Sequence, residues 1–471
     1  MKKIISAGVA AAMIVPSAVV FADEAAQTAP VMLYNNQVIA SDEFVPFITD
    51  GRTMLPFRYL LDEIGASVDY DEATRTVKAE KDGTRISFSL DDTYIDIIKG
   101  DAVKKINQDV RNEIKDDRVY VPIRFLSEAF GLDVGWDETN KTAILVDMGA
   151  YVKELEEKAP DFKRYMELAS KLPESYTQTA NLKLTMDYTN GTEKGSMDIG
   201  LDYDMSLNGG AASADVKADV ALDMPEVIRL AKAIDLKGVE FSFRYNDGQF
   251  YAKTNLISKL KTAYPDNEKI QNAAILVNDN TWYKADIREL FKLLGIPEEL
   301  VDVVKVSLKG GMTDEDFAKT MSVSQANQLT SVDEAAAIDM TFDMYAVMFK
   351  DAFTITENGE GSYDIKMAID KDTLVDDIMS AGVSEDAKNT DEYKAAVADM
   401  KKALTFDCNA NVTIRNNIPT ESNVNIVIAV NDETKLNLKL EAASKLTPDT
   451  KKEITMPESA LDLVNIIKLF K

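Results

Sequence analysis

The chain has no histidine and only one cysteine, Cys408, among its 471 residues. Without histidine it cannot build a Ser-His-Asp triad, a Cys-His dyad or an imidazole site for zinc or copper. A single cysteine forms no internal disulfide, and its place in an apolar alternation predicts a buried, unreactive thiol. We therefore expect no catalytic site, no cofactor and no metal of these classes.

Basic residues are also scarce, with 53 Lys and Arg against 80 Asp and Glu, a formal net charge of −27. An acidic surface repels nucleic acid and anionic membranes, so we expect no nucleic-acid partner. Carboxylate-only hydrolysis stays open as a minor alternative. The adjacent pairs Asp91 with Asp92 and Asp116 with Asp117 do not favour it, because neighbours in an extended chain point in opposite directions.

The first 22 residues differ from the rest. Lys2 and Lys3 precede the apolar run IISAGVAAAMIVPSAVV, and Val20 and Ala22 supply the small residues that precede a cleavage site. We expect residues 1–22 to be a signal peptide and residues 23–30 a linker, with a secreted mature chain that begins at Asp23. A retained anchor is the alternative. No later run is long enough to span a membrane.

Two stretches of the chain are nearly the same. GRTMLPFRYLLDEIGASVDYDEATRTV begins at Gly51 and DRVYVPIRFLSEAFGLDVGWDETNKTA begins at Asp117, an offset of 66 residues. So many matches at one offset indicate an internal duplication. The matching pairs are Arg52 and Arg118, Pro56 and Pro122, Arg58 and Arg124, Leu60 and Leu126, Gly65 and Gly131, Val68 and Val134, Asp71 and Asp137, and Thr76 and Thr142.

Each copy has the pattern of a strand, a short helix and a β-hairpin. Proline stands where a helix begins, and the apolar spacing after it is helical. Gly65 and Gly131 are expected to end the helices with positive φ, and Asp71 and Asp137 to form the hairpin turns. We expect structural roles for the repeated residues, the arginines included.

The repeated motif resembles the copper amine oxidase N-terminal domain, a stalk module of many secreted bacterial proteins. The second copy carries Pro122, Arg124, Gly131, Trp136 and Asp137 at the family's positions. The resemblance covers residues 31–147 and implies a small antiparallel sheet wrapped around a helix. It implies no copper chemistry, because the oxidase holds copper through histidines of a separate catalytic domain.

Residues 148–174 have a helical pattern and are expected to connect to a larger domain, residues 175–456, followed by a C-terminal helix, residues 457–471. Apolar and polar residues alternate through the larger domain, which predicts long antiparallel strands with one apolar face. The alternating runs begin at Leu182, Ile199, Val216, Phe241, Tyr363, Phe406, Val424 and Leu436. Helical patterns occupy residues 224–234, 285–295, 297–308, 335–349, 371–382 and 391–404.

These patterns predict an α+β protein, in which a duplicated β-α-β-hairpin stalk module is followed by a large antiparallel curved sheet, a half-barrel, covered by helices. Phrases such as RYNDGQFYAK and GSYDIKMAIDKDTLVDDI also resemble LolA-like lipoprotein half-barrels. That resemblance implies a sheet that half encloses helices and holds an acyl chain. The apolar rows are then either plain core or the wall of a lipophilic cavity.

For the cavity alternative we expect ligand contacts from one apolar residue on each of five strands. These candidate ligand-binding residues are Leu184, Tyr203, Phe243, Met367 and Ile426. The function expected is that of a secreted, non-enzymatic cell-envelope protein that binds a hydrophobic or wall-associated ligand. Its partner would be a cell-wall or envelope component or a lipid-like ligand. The alternative is a purely structural surface or protein-interaction protein without a cavity.

Overall fold

The computed structural model describes residues 31–39, 47–49, 52–90, 92–107, 110–115, 118–122, 129–223, 233–294, 329–380, 383–431 and 434–468. The expected signal peptide and linker lie outside these residues, and so do Asp91, Asp116, Asp117, Arg124 and the predicted helix at 297–308. Of the predicted helix at 224–234, only the last two residues are described, and the second of them begins a strand. The described residues form a mixed α+β structure in two compact units.

The first unit contains the described residues up to Lys153 and also residues 329–342. Its strands form three small sheets, in the orders β12-β13-β1-β2, β10-β11-β4-β3 and β5-β6-β7-β8-β9. The elements are β1 (Val31–Tyr34), β2 (Gln37–Ile39), β3 (Phe47–Thr49), β4 (Arg52–Pro56), α1 (Phe57–Glu63), β5 (Ser67–Asp71), β6 (Thr76–Lys81), β7 (Thr84–Ser89), β8 (Tyr94–Lys99), β9 (Ala102–Asn107), β10 (Glu113–Lys115), β11 (Arg118–Pro122), β12 (Asp133–Asp137) and β13 (Thr142–Val146).

This arrangement differs from the one small antiparallel sheet that the family resemblance implied. Strand β1 pairs in parallel with β13, which brings the two ends of the module side by side in one sheet. A parallel pair needs a long connection, and here the other strands of the module supply it.

Helix α1 ends as the sequence predicted. Gly65 has φ of 73° and Gly131 has φ of 72°. The Gly65 N–H donates to the Asp62 carbonyl at 3.1 Å, and the Ala66 N–H donates to the Leu61 carbonyl at 2.8 Å. These two bonds form a Schellman motif, which satisfies carbonyls that the helix leaves open. The predicted apolar side of the helix is buried, at Phe57, Leu60 and Leu61.

The strands of the two sequence copies correspond: β4, β5 and β6 begin 66 residues before β11, β12 and β13. Asp71 and Asp137 each hold a turn, since Asp71 Oδ1 accepts from the Ala73 N–H at 2.9 Å and Asp137 Oδ1 from the Thr139 N–H at 2.9 Å. Most of the second copy's helix lies outside the described residues, so the complete duplicated β-α-β-hairpin remains a prediction.

The second unit contains the described residues from Glu154 to 294 and from Asp343 onward. It is built on a large curved sheet of twelve strands in the order β20-β21-β22-β23-β24-β14-β15-β16-β17-β18-β19-β25. The strands are β14 (Ser175–Asn190), β15 (Glu193–Asn208), β16 (Ala211–Asp223), β17 (Ile234–Asn246), β18 (Gln249–Thr254), β19 (Tyr283–Asp286), β20 (Phe353–Gly359), β21 (Ser362–Ala368), β22 (Leu404–Arg415), β23 (Ile418–Asn431), β24 (Thr434–Pro448) and β25 (Leu461–Asp462).

Every one of the eight alternating runs lies in a strand of this sheet. Apart from α1, the helices among the described residues are α2 (Met148–Lys158), α3 (Pro160–Ala169), α4 (Leu256–Ala263), α5 (Glu268–Leu276), α6 (Ile287–Leu294), α7 (Val332–Phe349), α8 (Lys371–Ser380), α9 (Glu385–Lys388), α10 (Asp391–Ala403) and α11 (Leu463–Lys468). The predicted helices at 285–295, 335–349, 371–382 and 391–404 are present as α6, α7, α8 and α10.

The C-terminal segment contains a shorter helix than the sequence predicted. Residues 461–462 form β25, which pairs in parallel with β19, and helix α11 starts only after it. The Leu461 N–H donates to the Trp282 carbonyl at 2.9 Å. Main-chain pairing with a distant strand therefore holds these residues extended where a local pattern favoured helix.

Candidate functional site

The large sheet has one apolar face and one polar face. Leu182 lies opposite Leu201, Leu201 opposite Ala218, and Ala218 opposite Val239, so one register line carries apolar residues across four strands. Since successive residues point to opposite sides of a sheet, the alternate positions form a polar face. We call these the apolar face and the polar face.

Three of the five candidate residues meet at one side of the apolar face. Ile426 lies opposite Leu440, which lies opposite Leu184, and Met367 pairs with the next strand at Ala410. All three candidates are half-buried. They pack against a buried cluster formed by helix α8 and strands β22 to β24: Leu374, Val375, Leu404, Phe406, Cys408, Ile428, Val430 and Leu438.

The other two candidates, Tyr203 and Phe243, lie further along the same face. Tyr203 is opposite Val216, and Val216 is opposite Phe241. The Phe243 ring stacks on Phe241 with centroids 6.0 Å apart and on Phe250 with centroids 5.6 Å apart. Burial raises the pKa of Tyr203. The structure thus divides the five candidates into two groups, three near helix α8 and two on strands β15 and β17.

Between these groups the central strands keep apolar side chains that are only half-buried. They are Leu182, Met197, Ile199, Val216 and Val220. Helix α4 covers the neighbouring edge of the face, where Leu256 and Leu260 pack beside Ala218, Leu236 and Val239. Helix α6 covers a third place, where Ile287 and Phe291 pack beside Tyr245 and Ala212. Helices therefore cover several places on the apolar face of the described sheet and leave it partly accessible between them.

Cys408 is buried on this face, as predicted. Burial, with a smaller contribution from the Asp407 charge, raises the pKa of its thiol to about 11. A thiol with such a pKa is almost entirely protonated at neutral pH, and only the thiolate is a strong nucleophile.

The sequence analysis missed a shallow, open cleft of about 660 Å³, whose charged lining residues are solvent-exposed. Its lining comes from five adjacent strands and consists mainly of two rows of the polar face. One row contains Lys445, Thr179, Asp204, Asp215 and Ser242, and the other contains Ala443, Asn181, Asp202, Lys217 and Glu240. The row between them, which includes Tyr203, points its side chains to the apolar face, so it contributes main chain to the floor of this polar cleft.

One end of the polar cleft is organised by an arginine. Arg244 donates to both carboxylate oxygens of Asp215 at 3.2 Å each, and its guanidinium lies 5.3 Å from the Trp282 ring centre. Burial alone would raise the pKa of Asp215, but hydrogen bonds from Ser242 and Arg244 outweigh it and hold that pKa below its ordinary value. Asp215 is therefore a fixed carboxylate at neutral pH.

The only signal for this cleft in the sequence is the alternation itself. The acidic and basic residues of the polar rows read as ordinary solvent-facing positions, and no spacing along one strand marks the neighbouring strand. Among the described residues no group of three or more His, Cys, Asp or Glu side chains is placed to hold a metal ion. Within the described part of the chain, no helix combines the length and apolarity that crossing a membrane requires.

Comparison with known proteins identifies one region. Residues 33–145 match the family model of the copper amine oxidase N-terminal domain, which confirms the predicted resemblance. In copper amine oxidases this stalk domain is non-catalytic. The match covers less than half of the chain, so it describes the N-terminal region alone.

No curated protein matches the chain. Among solved structures, the chain is similar to lipovitellin, in a structure concerned with lipid–protein interactions. The two are 6% identical with a TM-score of 0.23, and the alignment covers 62% of this chain and 27% of lipovitellin. The chain thus spans about a quarter of that protein's length, and a TM-score this low identifies neither a shared fold nor a shared function. The resemblance to LolA-like half-barrels remains a prediction.

Proposed function

We propose that this chain is a secreted, non-enzymatic cell-envelope protein. In this proposal the stalk-like N-terminal module presents the large sheet, a half-barrel, and the apolar face of the sheet binds a hydrophobic, lipid-like ligand of the envelope. The chain has no histidine for the common nucleophilic or metal-assisted reactions, which supports the non-enzymatic assignment.

The observation that carries the proposal is the partial exposure of the apolar face. Leu184, Tyr203, Phe243, Met367 and Ile426 are all half-buried, although their strands lie inside the sheet rather than at its edges. In a fully packed core such central positions are buried on all sides. Accessible apolar surface in a concave sheet is the usual setting for a hydrophobic ligand.

An apolar-sensitive dye tests this directly. We expect 1-anilinonaphthalene-8-sulfonate to bind the native protein and palmitate to displace it. Tyr203→Asp should weaken dye binding while the protein stays folded, because a charge is tolerated at an accessible wall but not in a packed core. Thr405→Asp adds the same charge at an exposed position of β22 and should leave binding unchanged.

A native protein that binds no dye, or binds it without displacement by palmitate, contradicts the proposed ligand. Unfolding of Tyr203→Asp alongside a folded Thr405→Asp shows that the apolar face is plain core. Either outcome favours the alternative function, a purely structural or protein-interaction protein without a ligand cavity.

Export has its own test. The basis is the order of charge and apolarity in residues 1–22, followed by Ala22 at a cleavage position. We expect N-terminal sequencing of protein from the cell envelope or medium to start at Asp23. Protein that starts at Met1 and remains in the cytoplasm contradicts this part of the proposal.

A further inference from the structure

Strand β20 is an open edge of the large sheet. Among the described strands it pairs with β21 alone. The Ala368 N–H donates to the Ala352 carbonyl at 2.8 Å, which makes these two residues a hydrogen-bonded pair. Because hydrogen-bonded and non-hydrogen-bonded pairs alternate along an antiparallel ladder, the main-chain groups of Phe353, Ile355 and Glu357 point away from β21. No described residue forms a hydrogen bond with these outward groups.

This edge lacks the features that usually protect an exposed strand. Edge strands are commonly protected by proline, by lysine or by a bulge, and the edge strand β9 carries Lys104 and Lys105. Residues 353–357 of β20 have the sequence FTITE, and the pairing with β21 becomes irregular only after Glu357. The Phe353 ring stacks on Tyr165 with centroids 5.0 Å apart, which holds the strand in place. We call residues 353–357 the β20 edge.

The β20 edge is complementary to itself. When two copies pair antiparallel with Ile355 opposite Ile355 of the second copy, every outward-pointing N–H and carbonyl of the edge finds a partner. Phe353 then lies opposite Glu357 of the second copy, and Thr354 lies opposite Thr356. Threonine pairs in neighbouring strands are favourable.

The charges at this junction also fit a second copy. The chain carries a formal net charge of −27, so most contacts between two copies bring acidic residues together. Glu357 is the one charged residue of the β20 edge, and in this register it faces no charge. Each polar row that crosses the junction has Lys366 of β21 at one end and Asp364 of the other copy, which also binds Arg415 of its own chain, at the opposite end.

The other edge of the sheet cannot pair in the same way. Strand β25 has only two residues, which is too short to form a ladder with β20. Head-to-tail addition of one sheet to the next is therefore not available. Pairing of β20 with itself uses the same surface on both copies, and such an arrangement closes after two copies.

We propose that two copies of this chain pair through the β20 edge, antiparallel and about a two-fold axis at Ile355, so that their large sheets form one continuous sheet. Only a short stretch of each chain takes part, so we expect a weak, reversible dimer. This proposal does not rest on the proposed hydrophobic ligand. Palmitate should leave the dimer dissociation constant unchanged, so the two proposals can fail separately.

Sedimentation equilibrium of the full chain at low salt tests the pairing. Thr354→Asp with Thr356→Asp places like charges opposite each other and should raise the dimer dissociation constant about threefold or more. Thr354→Lys with Thr356→Asp places opposite charges there and should lower it by a similar factor, an effect that added salt removes. Both positions are exposed, so the fold should tolerate these changes.

The matched control for the added charge lies on β22, which is paired on both sides. Thr405→Asp with Asn411→Asp adds the same two negative charges at exposed positions of that strand. This control should leave the dimer dissociation constant unchanged within about twofold.

Cysteine cross-linking tests the register. Thr354 and Thr356 of the second copy form a non-hydrogen-bonded pair with Cα atoms about 4.5 Å apart, a separation that a disulfide spans. An oxidised mixture of Thr354→Cys and Thr356→Cys should therefore give a linked dimer with one chain of each kind. Neither variant alone should do so, because its two cysteines would lie about 7–8 Å apart. Cys408 is buried and takes no part.

Three results would overturn the proposal. A chain that stays monomeric as its concentration is raised does not pair with itself, and binding of a synthetic FTITE peptide by that monomer would assign the edge to a different partner. Equal weakening of the dimer by the β20 and β22 aspartate variants shows a general charge effect. Linked dimers from Thr354→Cys alone, with none from the mixture, show that the strands do not pair about Ile355.

Discussion

At the scale of single residues, Cys408 has the most definite chemistry. Its pKa is raised from 9.0 to about 11 by burial, so the folded protein holds the thiol proton more tightly than the unfolded chain does. We expect the native protein to resist a disulfide reagent at pH 8, with full modification only after denaturation. Modification of native protein at the denatured rate would contradict a buried thiol.

The raised pKa of Cys408 makes the free energy of unfolding depend on pH. The contribution of the protonated Cys408 thiol to the free energy of unfolding is fully present below about pH 9 and is lost as the pH rises towards about 11. The reason is that the thiol of the unfolded chain ionises at a lower pH than the thiol of the folded protein. The free energy of unfolding of the wild type should therefore fall relative to Cys408→Val across this window. A difference between the two proteins that does not change from pH 7 to pH 11 would contradict the shift.

Gly65 is the residue whose backbone conformation matters most for the stalk module. Its φ of 73° is costly for a β-branched side chain, so Gly65→Val should destabilise helix α1 by about 1–2 kcal/mol. Gly65→Asn should reduce the stability of the helix less than Gly65→Val does, because asparagine tolerates a positive φ. Arg58→Ala, at an exposed position of the helix, should change stability by less than about 0.5 kcal/mol.

Amide hydrogen exchange of Phe57–Glu63 measures these effects locally. Equal increases in exchange for Gly65→Val and Arg58→Ala would mean that the arginine has a structural role beyond the exposed surface.

At the scale of elements, the first unit depends on a segment from far along the chain. The Trp136 N–H donates to the Leu329 carbonyl at 3.2 Å, and the Val332 N–H donates to Asp137 Oδ2 at 3.0 Å. Gly135 lies so close to Leu329 that an added Cβ would overlap its main chain. Residues 329–342 are thus joined to β12 by one main-chain hydrogen bond and by one bond from a main-chain N–H to the Asp137 carboxylate.

Gly135→Val should therefore release this segment. We expect amide exchange in residues 329–342 to accelerate by about tenfold or more, since a steric overlap of this kind costs about 1–3 kcal/mol. The control is Gly200→Val in β15, where an added Cβ would lie 4.0 Å from the nearest heavy atom, Asp219 Cβ. Exchange that is unchanged in Gly135→Val, or equally accelerated by Gly200→Val, would contradict the role given to Leu329.

The long strands were predictable, whereas several other elements were not. Alternation from Leu182 and from Phe406 is a property of neighbours along the chain, and both runs are strands of the large sheet. Strands β19 and β25 have only four and two residues, and the sequence of β18, QFYAKT, does not alternate strictly between apolar and polar residues. Their conformation depends on pairing with strands that are remote in sequence.

At the scale of the whole molecule, the match to a copper amine oxidase domain does not imply that this chain binds copper. The matched family domain is non-catalytic in the oxidases, and the chain has no imidazole to hold the metal. We expect the dialysed protein to retain less than one copper per chain and to release no peroxide from a primary amine. Stoichiometric copper together with peroxide release would contradict this, and a copper amine oxidase measured in parallel is the positive control.

The sequence could predict one part of the candidate site, the apolar face, but not the other part, the polar cleft. Leu184 and Ile426 could be placed on one apolar face from the sequence, because a side-chain period of two depends only on the local chain. The polar cleft could not be found that way, since it exists only where Asp202, Asp204 and Lys217 meet across two strands.

The sequence by itself therefore established the excluded chemistry, the signal-like N-terminus, the repeated motif and the faces of the long strands. Each of these depends on composition or on residues close together in the chain. The tertiary structure alone determined that residues 329–342 join the first unit and that charges from several strands line one cleft. Both require contacts between residues far apart in sequence, and no local pattern specifies which distant strand becomes the partner.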